Sequence, residues 1–220
     1  MVRVSDRSLT AELLLGAYAT GIFPMADSRD DPDVHWVDPR VRGVLPLDGF
    51  HMSRSLARRM RGGNYTATLD IEFEAIVDGC ADREETWINE TIRELVIELH
   101  VMGRAHGFGV WSKGRLVGGM YGVALGGAFF GESMFSARSD GSKMALAWAV
   151  DHLRRTGFVL YDTQFSSPHL ASLGVREVTR AAYRALLASA LEASADITRL
   201  PLENDPQAVV QRITQTSYRG

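Results

Sequence analysis

The run from Gly107 to Glu132 constrains this chain more than any other. It reads as three apolar strands, Gly107–Ser112, Arg115–Ala124 and Ala128–Glu132, joined by Lys113-Gly114 and Gly126-Gly127. Short glycine-containing links between strand-like runs are hairpin turns, so an antiparallel meander is expected. Gly118, Gly119 and Gly122 lie inside the second strand, where glycine weakens packing unless a ligand or another backbone needs the room. Met120 and Phe129 flank the second turn and either line a pocket beside it or fill the core.

Around the meander, hydrophobic periodicity and stop signals predict the other elements. A helix is expected over about 8–20, with Ser8 as cap and Gly21 beyond its end, and a second over 51–61, ending at Gly62-Gly63. Tyr65–Asp70 alternates as a strand and Asp70–Ala81 reads as helical. Thr86 is a candidate cap for a helix striped by Ile88, Ile92, Leu95, Leu99 and Met102. Ser142–Thr156 is a helix, Phe158–Gln164 a buried strand, and Glu177–Ala193 a last helix. The order after residue 64 is thus β-α-α-β-β-β-α-β-α. That order predicts an α+β fold with a mostly antiparallel sheet, like the acetyltransferase (GNAT-like) fold of acetyl-CoA-dependent N-acetyltransferases. The expected division is a small N-terminal domain over 1–62, a catalytic domain over 63–195, and a polar tail over 196–220 with no assignable pattern.

Composition narrows the function classes. Hydrophobic residues make up 45% and the net charge is −3, so a nucleic-acid contact would have to come from a local patch. Such a patch exists: Arg54, Arg58, Arg59 and Arg61 fall in a stretch without acids. It either tracks phosphates or forms a solvated helix face. Cys80 is the single cysteine, which excludes an internal disulfide and a thiolate zinc cluster. The histidines form no metal-ligand spacing, and no metal is expected. Arg3 and Arg7 before the uncharged run from Leu13 to Ala26 faintly resemble a signal peptide, but Asp6 and Glu12 interrupt the basic part and the run is too short to span a membrane.

The candidate chemistry lies at strand ends. Asp162 and Gln164 are two apart on one strand and so face one side, either capping the strand end or meeting at a cleft mouth. Glu132 ends the third meander strand. It is either solvated or a second carboxylate at the same mouth, suited to a cationic group. Gly141 and Ser142 open a helix and either cap it or offer backbone N–H groups to an anion. Trp36 and Trp111 are aromatics that either stack a nucleobase or cover core. The pyrophosphate loop of a CoA-dependent acetyltransferase is missing, which argues against that runner-up. A non-catalytic binding module is the other alternative.

Taken in order, "GAYATGIFPM", "WVDPRVRGVLPL", "HMSRSL", "TWINETI", "AHGFGVW", "LVGGMYGVALGGAFFGESMFS", "GSKMAL", "YDTQ" and "HLASLGVRE" resemble the leucyl/phenylalanyl-tRNA–protein transferases over about residues 8–188. The resemblance implies a cytoplasmic aminoacyltransferase that needs no cofactor. It implies transfer of Leu, Phe and, less readily, Met from aminoacyl-tRNA to the N-terminal Arg or Lys of proteins, marking them for N-end rule degradation. It further implies that Trp36 and Trp111 surround the terminal adenosine, that Met120 and Phe129 wall the apolar side-chain pocket, and that Glu132, Asp162 and Gln164 form the polar centre. The sequence departs from the family pattern at Thr163, where Cys is common, and at Ala137, which displaces the expected Arg to position 138.

Overall fold

The structure, a computed structural model, describes residues 3–4 and 9–216. Strand β1 (Arg3–Val4), helix α1 (Ala11–Thr20), β2 (Phe23–Met25) and β3 (Val34–Val37) come first, and β3 pairs antiparallel between β1 and β2. The Thr10 hydroxyl accepts the Leu13 amide hydrogen and starts α1; Gly21, at φ 85°, ends it. Ser8, the expected cap, lies outside the described residues.

The main sheet has seven strands: β4 (Val41–Val44), β5 (Tyr65–Leu69), β6 (Ala105–Ser112), β7 (Arg115–Leu125), β8 (Ala128–Ser136), β9 (Leu160–Gln164) and β10 (Arg176–Thr179). Their order is β10-β4-β9-β8-β7-β6-β5, and all neighbours are antiparallel except β8 and β9. This is the expected α+β class with a mostly antiparallel sheet, and β6-β7-β8 is the expected meander. The helices are α2 (Arg54–Gly62), α3 (Phe73–Ala81), α4 (Glu90–Val101), α5 (Gly141–Arg155), α6 (Pro168–Ser172), α7 (Arg180–Leu191) and α8 (Pro206–Thr216).

Both faces of the sheet are covered. On one, α2, α5 and α8 close over Phe108, Met120, Phe129, Trp148 and Val210. On the other, α1, α3, α4 and α7 close over Tyr18, Phe73, Ile92, Tyr121, Phe130 and Tyr183. Burial on two sides explains why the central strands are apolar throughout instead of alternating. Gly118 serves this layering: a Cβ there would fall 2.4 Å from the Gly141 carbonyl carbon, so the first turn of α5 rests directly on β7.

Several boundaries differ from expectation; β8, expected to end at Glu132, runs on to Ser136 and so holds Glu132 inside the strand. The α4 cap is Asn89, whose Oδ1 accepts the Ile92 N–H, while the Thr86 hydroxyl serves the Ile88 N–H two residues on. The last expected helix loses its first turn, because Arg176–Thr179 pairs with β4 as β10 and Thr179 becomes the cap. Tertiary pairing has overridden local helix preference there. Within residues 9–62, β4 sits inside the main sheet and α2 packs on α5 and α8. Among the described residues, no helix is long and apolar enough to cross a membrane.

The segment after residue 195 carries a core element. Val209, Val210 and Ile213 of α8 are buried. Arg212 bonds Asp151 of α5 at 2.6 and 2.9 Å and Glu203 at 3.1 Å, and the Trp148 indole donates to the Glu203 carbonyl at 2.9 Å. Ile213→Ala should therefore cost about 2–5 kcal/mol in urea unfolding. A loss under about 0.5 kcal/mol, the level of a surface change, would remove the tail from the core.

Candidate active site

β8 and β9 pair only at Ala128–Leu160, Phe129–Tyr161 and Phe130–Asp162. Beyond these residues β8 continues along β7, while β9 turns to β4 and ends at Gln164. A cavity of about 680 Å³ opens where they part, a size suited to a small ligand. β8 is bulged at this point: Gly122 faces Gly131 and Tyr121 faces Ser133, which leaves Glu132 without a cross-strand partner. Such an extra residue bends a strand and re-aims its side chain. Leu45, Met120, Leu146, Tyr161, Leu170 and Val175 give the cavity an apolar wall, and Asp82, Arg83, Trp87, Glu132, Ser133 and Gln164 a more polar one.

At the polar wall, the Gln164 side chain donates from Nε2 to Glu132 Oε1 at 2.9 Å. Gln164 holds φ 55°, a left-handed conformation uncommon for a non-glycine residue, and its backbone N–H donates to Asp162 Oδ1 at 2.8 Å. Glu132 is pushed up from its ordinary 4.5 to about 8. Burial is the main cause and the Asp162 charge adds to it, while hydrogen bonds from Tyr18 and Gln164 and the Arg42 charge oppose it. The Tyr18 phenol is raised well above its usual value, first by burial and then by Glu132, so it stays a neutral donor.

Asp162 does not line the cavity. It is fully buried and bound by Arg42, with Nε at 2.9 and 3.1 Å from its two oxygens and Nη2 at 2.6 Å from Oδ2. The Tyr183 hydroxyl donates to the same Oδ2 at 2.7 Å. Of the two readings open for Asp162, capping the strand end or meeting Gln164 at a cleft mouth, its Oδ1 makes the first contact, accepting the Gln164 backbone N–H, and β9 is bulged between the two residues, with Gly43 facing Gln164 and Val44 facing Asp162.

Met120 lines the cavity and accepts the Tyr161 hydroxyl at Sδ, 3.7 Å away. Phe129 stands behind that wall, fully buried, with its ring centroid 5.5 Å from that of Tyr161. Trp36 lies on β3 opposite Pro24, and Trp111 lies on β6 with its indole N–H on Thr68 Oγ1 at 2.8 Å; neither lines the cavity. The lining tryptophan is Trp87, marked in the sequence only by its place in "TWINETI". Its loop is fastened from below: the Arg29 guanidinium donates to the carbonyls of Ala81 and Arg83, and Arg83 reaches Ser133 Oγ and the Met134 carbonyl on β8.

Arg54, Arg58, Arg59 and Arg61 lie on exposed α2. Arg59 pairs with Asp140 at 3.0 Å, which ties that helix to the turn before α5; Ser136 at the end of β8, Ala137, and Ser142 in the first turn of α5 border the cavity. Among the described residues, no group of three or more His, Cys, Asp or Glu could hold a metal ion.

Sequence models for the "Leucyl/phenylalanyl-tRNA protein transferase" family and for its N-terminal domain match residues 44–188 and 7–40 respectively. The leucyl/phenylalanyl-tRNA–protein transferase of Ruegeria pomeroyi is 60% identical, over 96% of this chain and 100% of that protein. Its counterpart in Cereibacter sphaeroides is 59% identical over 96% and 98%. Among solved structures, FemX shares the fold at a TM-score of 0.50 and 11% identity, covering 76% of this chain and 66% of that one. The chain therefore belongs to the leucyl/phenylalanyl-tRNA–protein transferase family.

Proposed function

We propose that the protein joins Leu, Phe and, less readily, Met from aminoacyl-tRNA to an N-terminal Arg or Lys, marking the acceptor for N-end rule degradation, and that the chemistry occurs where β8 and β9 part. The observation that carries this reading is the Glu132–Gln164 pair at the polar wall of a cavity whose other wall is apolar. The aminoacyl ester is already activated, so the reading calls for positioning more than for strong base catalysis, and for no metal or cofactor. With Nε2 committed to Glu132, the Gln164 side-chain oxygen is left to accept a hydrogen of the acceptor amine and aim its lone pair at the ester carbonyl. The C–N bond forms, the ester C–O bond breaks, and one proton passes from the amine to the departing ribose oxygen. Glu132, at about 8, is matched to carry that proton, since a free α-amine titrates at about 7.7–8.0.

Other contacts follow from the same reading. The wall of Leu45, Met120, Leu146, Tyr161, Leu170 and Val175 receives the donor side chain, with Phe129 supporting it from behind. Trp87 offers a face to the terminal adenine, in place of Trp36 or Trp111. Asp82 supplies negative charge for the acceptor's Arg or Lys side chain, a role Glu132 joins only above about pH 8 and Asp162 cannot fill while it is paired with Arg42. The tRNA stem runs along Arg54, Arg58 and Arg61 towards the cavity. Residues 1–62 act as the small N-terminal domain, lending β4 and α2 to the catalytic part over 63–195. The aminoacyl-tRNA substrate fits a cytoplasmic protein.

Transfer rates should rise with pH through about 8, as Glu132 and the amine lose protons, and then level. Glu132→Gln should lower the plateau and leave the amine limb alone in single-turnover assays. The same proton affects folding. Because folding raises the Glu132 pKa, the stability it contributes is present below the ordinary carboxylate range and lost as pH rises through about 8. Urea midpoints should therefore fall more steeply for wild type than for Glu132→Gln over that window; parallel profiles would mean an ordinary carboxylate.

Trp87→Ala should raise the KM for Leu-tRNA about tenfold or more, the scale of one lost base stack, with little change in kcat. An unchanged KM would return the adenosine to Trp36 or Trp111. Arg54→Glu combined with Arg58→Glu should weaken tRNA binding and flatten the log–log salt slope by about 2. An unaltered slope in the folded variant would move the phosphate track off α2.

A further inference from the structure

We infer that Arg42, which touches no substrate, is a positioning residue of the transfer reaction: by clamping Asp162 it fixes both the backbone and the side-chain amide of Gln164. This rests on the reading of Gln164 and Glu132 as the groups that meet the acceptor amine.

Arg42 is 1% exposed and Asp162 is 0% exposed. Besides its three contacts to Asp162, the guanidinium donates from Nη1 to the Gly21 carbonyl at 2.9 Å and from Nη2 to the Tyr183 hydroxyl at 3.3 Å. It is stacked between two rings, with Cζ 4.5 Å from the Phe23 centroid and 4.4 Å from the Tyr183 centroid. The end of α1, β2, β4, β9 and α7 therefore meet on one planar cation. The arrangement uses what lysine lacks, a flat fork that binds a carboxylate twice and stacks on aromatic faces.

The effect reaches the cavity in two steps. A buried carboxylate without its cation takes up a proton and gives up acceptor capacity. Asp162 Oδ1 holds the Gln164 N–H, and that bond supports the left-handed backbone from which the Gln164 amide reaches Glu132. Loosening Arg42 thus frees Gln164 to turn, although the cavity walls that bind donor and acceptor keep their places.

The test compares wild type, Arg42→Lys, Tyr183→Phe and Gln164→Ala in transfer from Leu-tRNA to an Arg-starting peptide. Arg42→Lys should lower kcat about tenfold or more while both KM values stay within about twofold. Tyr183→Phe, which keeps the ion pair and removes one hydroxyl bridge, should lower kcat about threefold. In a Gln164→Ala background each should add little, because both act through that amide. Raised KM at constant kcat, or losses that multiply in the double variants, would overturn the inference. If Arg42→Lys does not fold, the cycle of Tyr183→Phe with Gln164→Ala decides. A wild-type rate in Gln164→Ala would instead defeat the reading of the centre. A slow Gln164→Ala beside wild-type rates in Arg42→Lys and Tyr183→Phe would defeat the role of Arg42 alone.

Discussion

The site depends on a parallel strand pair that cannot stay paired. β8 is committed to β7 along its length, while β9 is drawn towards β4, so the two strands share three residues and then separate. Separation leaves backbone groups in the middle of a sheet without their neighbours, and buried groups of that kind must find other partners. At Gln164 the partner is the side chain of Asp162, two residues back. The bulge at Glu132 answers the same problem on the other strand by releasing one residue from the ladder. The cleft and the groups that furnish it thus have one origin.

The two carboxylates show how environment divides roles. Asp162 faces a guanidinium, a phenol and a backbone amide, all of which donate to it. Glu132, a short distance away, is pushed up to about 8, chiefly by burial and then by the Asp162 charge, against the hydrogen bonds from Tyr18 and Gln164. Two acids a short distance apart thus meet different partners, Asp162 a buried guanidinium and Glu132 the side-chain amide of Gln164 at the cavity. Tyr18 and Arg42 both belong to the first fifty residues of the chain, so the N-terminal segment tunes the centre as well as covering it.

Much of this was legible in the sequence wherever local rules govern. Glycine turns marked the β6-β7-β8 meander and a strand end marked Gln164, because period and turn chemistry are local, whereas Glu132, expected at a strand end, lies inside β8, which pairing with β7 carries on to Ser136. Alternation put Asp162 and Gln164 on one side of the strand, whereas the bulge at Thr163 between them, set by pairing with β4, is invisible to a period of two. Phe129 and Met120 looked equivalent beside one turn, yet Tyr161 from a distant strand stands between Phe129 and the cavity. Arg42 and Trp87 owe their positions to contacts far along the chain, which no spacing encodes. The one available hint for Arg42 was a lone charge in the otherwise apolar "VRGVLP". Likewise α8 escaped notice because its short apolar stripe follows a proline-broken, polar stretch.

The placing of β4 between β9 and β10 bears on how the protein is made. Arg42 and Asp162 are 120 residues apart, and the other flank of β4 is supplied later still, by Arg176–Thr179. Closing so long a loop is slow compared with forming hairpins and helices. During synthesis the meander can assemble while β4 waits with both edges unpaired, exposed to wrong partners. Arg42 can therefore meet Asp162 only after the chain has been made past that residue, and β4 gains its second neighbour only after Thr179 has followed.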